Sequence, residues 1–366
     1  MSTPREAPLD VVIIGGSQAG LVVAYYLRAR GLRFALLDAG PEIGHVWKSR
    51  WDSLALFTPT QYSGLPGMDF PAAHDAYPSK DEVVAYLQSY ASTFDLPVRP
   101  NASVTSVTRN GDGYLVATKD ENFRAPQVVV AAGPFQAPFV PQVAKGLDPS
   151  VTQIHSAQYR RPAQLPEGPV LVVGGGNSGF QIAAELAETR RVDLAVGRRM
   201  PALPQRLLGR DLFWWLSHLG IMRVSVESRL GRQMAKRDVL IGSSRRRLLR
   251  AGVTIRKRLE RFEGSNAVFA DGSRLEVGAV IWATGYRSDH AWIEVPRVLG
   301  EDGRVVHQRG VTAAPGLFFV GLPWQHTRGS ALLGFVQADA AFIAEAIAAS
   351  AKAGAVPTPP SAAQRP

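Results

Sequence analysis

The chain has 366 residues, 46% apolar and 20% charged, which supplies a sizeable core and suits two domains. It contains no cysteine, which excludes disulfides, thiolate metal sites and Cys-x-x-Cys redox chemistry, and no metal site is expected. The net charge of +10 is concentrated: the stretch Arg190 to Arg261 carries 19 basic and 5 acidic residues, leaving the remainder at −4. No nucleic-acid recognition motif accompanies that charge, so solvated helix faces and a phosphate-bearing ligand are expected rather than nucleic acid. The first ten residues are polar and contain proline, and no apolar run is long enough to span a bilayer, so a cytoplasmic protein is expected.

In chain order, residues 11–15 read as a strand and Leu21 to Arg30 as an amphipathic helix. Val23, Ala24 and Leu27 fall three, four and seven residues beyond Gly20, on one helical face. Phe34-Ala35-Leu36-Leu37 predicts a second strand that ends at Asp38. Residues 40–80 are rich in glycine, proline and aromatics and too long for an idle connection. Lys80 to Phe94 predicts a helix with Ser79 as its N-cap, and Val128 to Ala132 a buried strand running into Gly133-Pro134. A second strand–helix–strand unit starts at Val170, its helix at about Gly179 to Glu188 and its next strand at Val192 to Val196. Residues 200–250 are basic and partly helical, around Leu212-Phe213-Trp214-Trp215-Leu216. That apolar run is open to three readings: core, substrate lid, or contact with a membrane surface. Val280 to Ala283 is a strand leading into Thr284-Gly285-Tyr286, Leu317 to Val320 a last strand, and Ala331 to Ser350 a closing helix. The segment 351–366, rich in Ala, Pro and Ser, is expected to be a disordered tail.

Two glycine-rich cradles stand out, each between an apolar strand and a helical pattern. The first is Gly15-Gly16-Ser17-Gln18-Ala19-Gly20 and the second Gly174-Gly175-Gly176-Asn177-Ser178-Gly179. In that setting the motif seats a dinucleotide pyrophosphate on a helix N-terminus. Two in one chain suggest two dinucleotides held face to face, one of them a flavin. In the first, Gly15 permits the tight turn, Ser17 stands where glycine is usual, and Gly20 allows helix and strand to close. Asp38, 18 residues beyond Gly20, is placed for ribose hydroxyls. The second cradle is complete, but Gly197-Arg198-Arg199 follows its second strand instead of an acid. Guanidinium groups there suit the 2′-phosphate of NADP.

These motifs, taken in order, resemble the class B flavin-dependent monooxygenases, and most of all the compact bacterial and plant YUCCA-type members. The resemblance runs over about residues 8–348. It is carried by Trp47 with Trp51-Asp52-Ser53-Leu54, Leu56-Phe57-Thr58-Pro59, Tyr77-Pro78-Ser79-Lys80-Asp81-Glu82-Val83 and Ala131-Ala132-Gly133-Pro134. Ile154-His155-Ser156-Ala157-Gln158-Tyr159, Ala283-Thr284-Gly285-Tyr286 and Arg328-Gly329-Ser330-Ala331-Leu332-Leu333-Gly334 complete it. The family's identifying sequence, Phe-x-Gly then His and an aromatic, is matched at His155 and Tyr159, with Pro149 and Val151 where Phe and Gly are expected.

The resemblance implies an α/β protein of two Rossmann-like dinucleotide-binding domains of the three-layer ββα type. An NADP domain at 166–265, with a basic helical insertion, would be inserted in an FAD domain built from 1–165 and 266–350. FAD contacts would come from the first cradle, Asp38, Trp47, the Val104 backbone, Ala132, Gly133, Gly321, and Leu332 and Leu333 as backbone donors. A helix starting near Ala331 would aim its dipole at the flavin. NADP would take the second cradle, Arg198, Arg199 and Thr284-Gly285-Tyr286. The implied activity is NADPH-dependent oxygenation of a small organic molecule by molecular oxygen through a flavin 4a-hydroperoxide, at nitrogen, sulfur or a ketone. Thr58, Gln61 and His155 are the catalytic candidates, His155 equally readable as a strut between domains. Trp324-Gln325-His326 reads as cavity lining or as core. An NADPH oxidase or electron-transfer reductase and a redox-responsive flavin-binding protein stay open as alternatives, as does a homodimer.

Overall fold

The computed structural model describes residues 8–353 apart from residue 238. Two sheets organise the chain. The larger has the strand order His307–Gln308, Val311–Thr312, Leu317–Phe319, Gln127–Val130, Val11–Ile14, Phe34–Leu37, Val98–Arg99. Its central pairs are parallel, with Val11 beside Phe34 and beside Gln127. Every residue of Val11–Ile14 is buried, as a parallel strand covered on both faces requires. Alternation then divides the strand between two cores. Val11 and Ile13 face the helices Gln18–Arg28, Lys80–Thr93 and Gln337–Ala353. Val12 and Ile14 face an antiparallel sheet containing Val104–Asn110, Gly113–Thr118 and Asn122–Ala125. This is a ββα sandwich of three layers.

The second sheet repeats the plan with Thr254–Arg256, Val192–Ala195, Val170–Val173, Ala279–Trp282 and Thr152–His155, all parallel. Val170 and Val172 face the helical side with Phe180, Ile182 and Leu248. Leu171 and Val173 face the antiparallel strands Leu259–Glu263, Asn266–Phe269 and Arg274–Glu276. The second sheet thus draws strands from outside the expected 166–265. Ala279–Trp282 pairs with the cradle strand and Thr152–His155 pairs with Ala279–Trp282 in turn, so both belong to the second core. The two units are tied by an antiparallel link between Ala137–Pro138 and Tyr286–Arg287.

Ser79 caps Lys80–Thr93 through a capping box with Glu82, whose carboxyl the Ser79 backbone holds below its ordinary range. The closing helix starts at Gln337, not near Ala331. Residues 328–331 form a short 3₁₀ turn capped by Thr327, and Leu332 is extended. The helix runs on to Ala353, so the start of the predicted tail is helical and the rest lies outside the described residues. No described helix is long and apolar enough to cross a membrane.

Candidate cofactor and active site

The two cradles share one internal geometry. Gly15 (φ +110°) and Gly174 (φ +136°) turn the chain in a region where a side chain is strained. A Cβ on Gly20 would stand 1.9 Å from the Gly15 carbonyl oxygen, and one on Gly179 2.0 Å from that of Gly174. The last glycine of each motif is thus what lets the helix lie against its own turn. A Cβ on Gly176, by contrast, would meet nothing within 4 Å. Neither cradle helix has a side-chain cap, whereas Ser79, Asp211, Ser228 and Ser244 cap others. Uncapped N–H groups beside open space fit a pyrophosphate.

The ends of the second strands differ. Asp38 accepts from the Gly16 N–H at 2.6 Å through Oδ2 and the Gly40 N–H at 2.7 Å through Oδ1. Each oxygen keeps a lone pair for a ribose hydroxyl. Val104 begins a strand just beyond Ala102, whose N–H donates to the Asp38 carbonyl at 2.8 Å. In the second unit Val173 pairs with Ala195 as Ile14 pairs with Leu37, so Val196 occupies the place of Asp38. Arg198 and Arg199 follow it, both exposed.

A cavity of about 290 Å³ lies between the cradles and is lined by both: Ser17, Gln18 and Ala19 from the first, Asn177 and Ser178 from the second. Trp47, Thr58, Ala132, Gly133, Gly321, Leu332, Leu333 and Tyr286 complete the expected residues on its wall. Gly321 (φ +89°) sits where a Cβ would be 2.9 Å from the Ala19 Cβ, which seats the closing segment on the first cradle. Gln18 Oε1 takes hydrogen bonds from Ser17 Oγ at 2.6 Å and Trp47 Nε1 at 3.2 Å.

Other expected residues lie elsewhere. Gln61 is not on this wall: its amide is paired with Asp75, donating to Oδ1 at 2.8 Å and accepting from the backbone N–H at 3.0 Å. Thr58 is on the wall and buried. His155 is buried off the wall, with Nε2 donating to the Gly285 carbonyl at 2.9 Å and Nδ1 accepting from the Ala157 N–H at 3.1 Å. Burial holds its imidazole below the ordinary value; the Gly285 carbonyl opposes this and the Arg50 charge reinforces it. Both ring nitrogens are thus engaged by backbone groups. Thr284 and Gly285 serve the same joint, Thr284 donating to the Phe139 carbonyl and Gly285 accepting from the Phe139 N–H. The Leu332 N–H is spent on the Gly329 carbonyl at 2.8 Å. Gln325 is buried and donates to the Phe319 carbonyl at 2.9 Å, a turn-holding role away from the cavity.

Sequence reasoning missed Arg50, Trp51, Phe135 and Gln181, which also line the cavity. The basic insertion packs behind one side of it, against wall residues Phe57 and Leu332. Phe213 is fully buried and stacks on Phe57 at 6.0 Å, and its cluster includes Leu332 and Phe335. Asp211 anchors this contact, accepting from Tyr77 Oη at 2.7 Å, Gln205 Nε2 at 2.8 Å and the Phe213 N–H at 2.7 Å. Asn177 adds a second anchor by accepting from the Ile241 N–H at 3.0 Å. Trp214 and Trp215 are half-buried on the outer side.

Residues 12–202 match the family described as pyridine nucleotide-disulphide oxidoreductase. The chain is 46% identical over 337 residues to an uncharacterised CzcO-like oxidoreductase of Geobacillus kaustophilus, covering 92% of this chain and 97% of that one. It is 27% identical to a probable indole-3-pyruvate monooxygenase, YUCCA1, of Arabidopsis thaliana, covering 87% and 86%. Its structure superposes on a flavin-containing monooxygenase from Stenotrophomonas maltophilia with a TM-score of 0.79 and 30% identity, covering 94% and 99%. The chain therefore belongs to the pyridine nucleotide-disulphide oxidoreductases and, among them, to the class B flavin-dependent monooxygenases.

Proposed function

We propose that this protein is an NADPH-dependent monooxygenase that inserts one oxygen atom of O₂ into a small organic substrate through a flavin 4a-hydroperoxide. The other oxygen atom leaves as water, and NADPH supplies the two electrons that balance the reaction. The observation that carries the reading is one cavity walled by both cradles, so that groups bound to each meet there. FAD, when bound, supplies the oxygen chemistry.

The chain's own residues bind, orient and exclude water. Asp38 and the first cradle would hold the FAD ribose and pyrophosphate, and Gly321 and Leu333, on the same cavity wall, would hold its ring. The second cradle holds NADP, and Arg198 and Arg199 take its 2′-phosphate in place of the acid that would hold a free 2′-hydroxyl. Leu54, Leu56, Phe57 and Leu332 make an apolar wall that keeps water from the reacting atoms. Thr58, which lines that space, is the remaining catalytic candidate, while His155 and Tyr286 position the joint.

The test is to reduce the yellow holoprotein anaerobically with NADPH, mix it with oxygenated buffer, and follow the flavin spectrum together with peroxide release. A transient oxygenated-flavin band with less than stoichiometric peroxide supports the reading. Direct return to oxidised flavin with one peroxide per NADPH, unchanged across amine, sulfide and ketone substrates, replaces it with an oxidase.

A further inference from the structure

Among the described residues, Arg50 is the only one on the cavity wall that carries a full charge at neutral pH, and no acidic residue among them lines that wall. Among the described residues it has no carboxylate partner. Its guanidinium lies 5.3 Å from the Phe135 ring centroid and 5.1 Å from that of Tyr286, and donates to the Tyr286 hydroxyl. Two aromatic faces fix the fork in place without neutralising it. Phe135 is 60% exposed although it lines the cavity, which puts the pair at the mouth. Neighbouring Trp51 packs into the second unit's core, so the guanidinium is held at the seam where the two units meet.

A guanidinium has five N–H donors, and one is used here. In a wall dominated by Leu, Trp, Phe and Ala, a guanidinium with no carboxylate partner and four free donors is the group that attracts an anion. The other polar groups nearby are partly committed, Gln18 to Ser17 and Trp47, Asn177 to the insertion strand. Pyrophosphate has its own donors at the uncapped helix N-termini, and a 2′-phosphate has Arg198 and Arg199.

We propose that Arg50 is the substrate-anchoring residue of the cavity and that the substrate is a small apolar molecule bearing a carboxylate. This deepens the monooxygenase reading and rests on it for the word substrate. The binding itself is measured separately, on oxidised holoprotein and without turnover.

The experiment titrates FAD-loaded protein with phenylacetate, with phenylacetamide, and with NADP⁺, reading the flavin absorbance change. Phenylacetate and its amide fill the same apolar space and differ by the charge. Phenylacetate is expected to bind roughly ten- to a hundredfold more tightly, the range of a hydrogen bond to a charged group. Arg50→Met should abolish that preference while leaving NADP⁺ affinity within about twofold, and Arg50→Lys, which keeps the charge but loses the fork, should fall between. Equal affinity for the two ligands, or no binding of either, overturns the proposal. So does an Arg50→Met protein that loses NADP⁺ affinity about tenfold and keeps its phenylacetate preference, because the guanidinium would then serve a dinucleotide phosphate. Should Arg50→Met yield no folded protein, the comparison of acid with amide on the wild type decides alone. A protein that releases only peroxide can still pass, so failure of the oxygenation reading is seen independently.

Discussion

Replacing two neighbouring glycines of the second cradle separates binding from folding. At Gly179 an added Cβ would sit 2.0 Å from the Gly174 carbonyl oxygen and 3.1 Å from its carbonyl carbon. Real contacts begin above 3 Å, so the helix must lift from its turn by about 1 Å, against a turn that also abuts Ala283. Overpacking of that kind costs about 1–3 kcal/mol. At Gly176 the added Cβ meets nothing within 4 Å, and φ is −84°, which alanine adopts freely. There the change should leave stability within about 1 kcal/mol, with a small gain from the stiffer unfolded chain. The methyl group does, however, project into the open space assigned to the NADP pyrophosphate. Gly176→Ala is expected to melt like the wild type and to bind NADP⁺ roughly ten- to a hundredfold more weakly, the loss of one or two hydrogen bonds to a charged group. Gly179→Ala is expected to lose stability first. Differential scanning calorimetry and anaerobic NADPH reduction kinetics on the same preparations give both numbers. Unchanged NADP⁺ affinity in Gly176→Ala, or equal destabilisation by the two changes, would refute the reasoning.

Three further outcomes follow from the same geometry. Arg198→Ala with Arg199→Ala should raise the Kd for NADPH about tenfold without altering that for NADH, and adding Val196→Asp at the place matching Asp38 should turn the preference toward NADH; steady-state saturation curves for the two nucleotides check this. Asp211→Ala removes a buried acceptor of three hydrogen bonds that ties the insertion to Tyr77, and should cost about 3 kcal/mol and expose residues 201–241 to limited proteolysis before the rest melts. Burial holds His155, His290 and His307 below the ordinary value of 6.5, each partly offset, by the Gly285 carbonyl, Asp289 and Asp339 respectively. The unfolded chain then binds more protons than the folded one between those lowered values and 6.5, so stability is full above 6.5 and falls as the pH drops through the folded values. The slope is up to about 1.4 kcal/mol per pH unit for each group. Urea unfolding at stepped pH should show it, and His290→Gln should flatten it.

The cradles were legible because their chemistry is local. A tight turn, a close approach and an open face are properties of glycine at fixed spacing, and the strand before and helix after each obey simple periodicity. Asp38 and Arg198 were legible for the same reason, each fixed by its distance from a cradle. The antiparallel layers were expected from the resemblance alone, and their strands were not placed, because Val104–Asn110 reads Val-Thr-Ser-Val-Thr-Arg-Asn, with few apolar residues on its buried face. That the second sheet draws strands from outside 166–265 escaped because membership of Ala279–Trp282 in it is a pairing choice, not a local preference. The closing helix was predicted six residues early: Ala331 to Val336 is apolar enough to look helical, yet Gly334 is wedged where a Cβ would be 2.3 Å from the Tyr62 carbonyl oxygen, and the segment turns instead. Arg50 has no motif to announce it, and its importance comes from what surrounds it in space.

The family's description pairs a pyridine nucleotide with a disulphide, and this chain has no cysteine to supply the second half. Electrons arriving from the nucleotide therefore have no thiol relay within the protein, and they must leave at the cavity itself, to oxygen or to an organic acceptor. That requirement gives the basic insertion a purpose. A relay can work across a surface, but oxygen transfer needs a closed, dry wall at the point of reaction. Phe213, held by Asp211 against Phe57 and in one cluster with Leu332 and Phe335, backs that wall from behind. On the lid reading, the half-buried Trp214 and Trp215 would be the outer side of a cover whose inner side is Phe213. If so, loosening the lid by Asp211→Asn should raise peroxide release per NADPH several-fold while leaving the rate of flavin reduction by NADPH unchanged. An equal fall in both rates would mean that the insertion shapes nucleotide binding and not water exclusion.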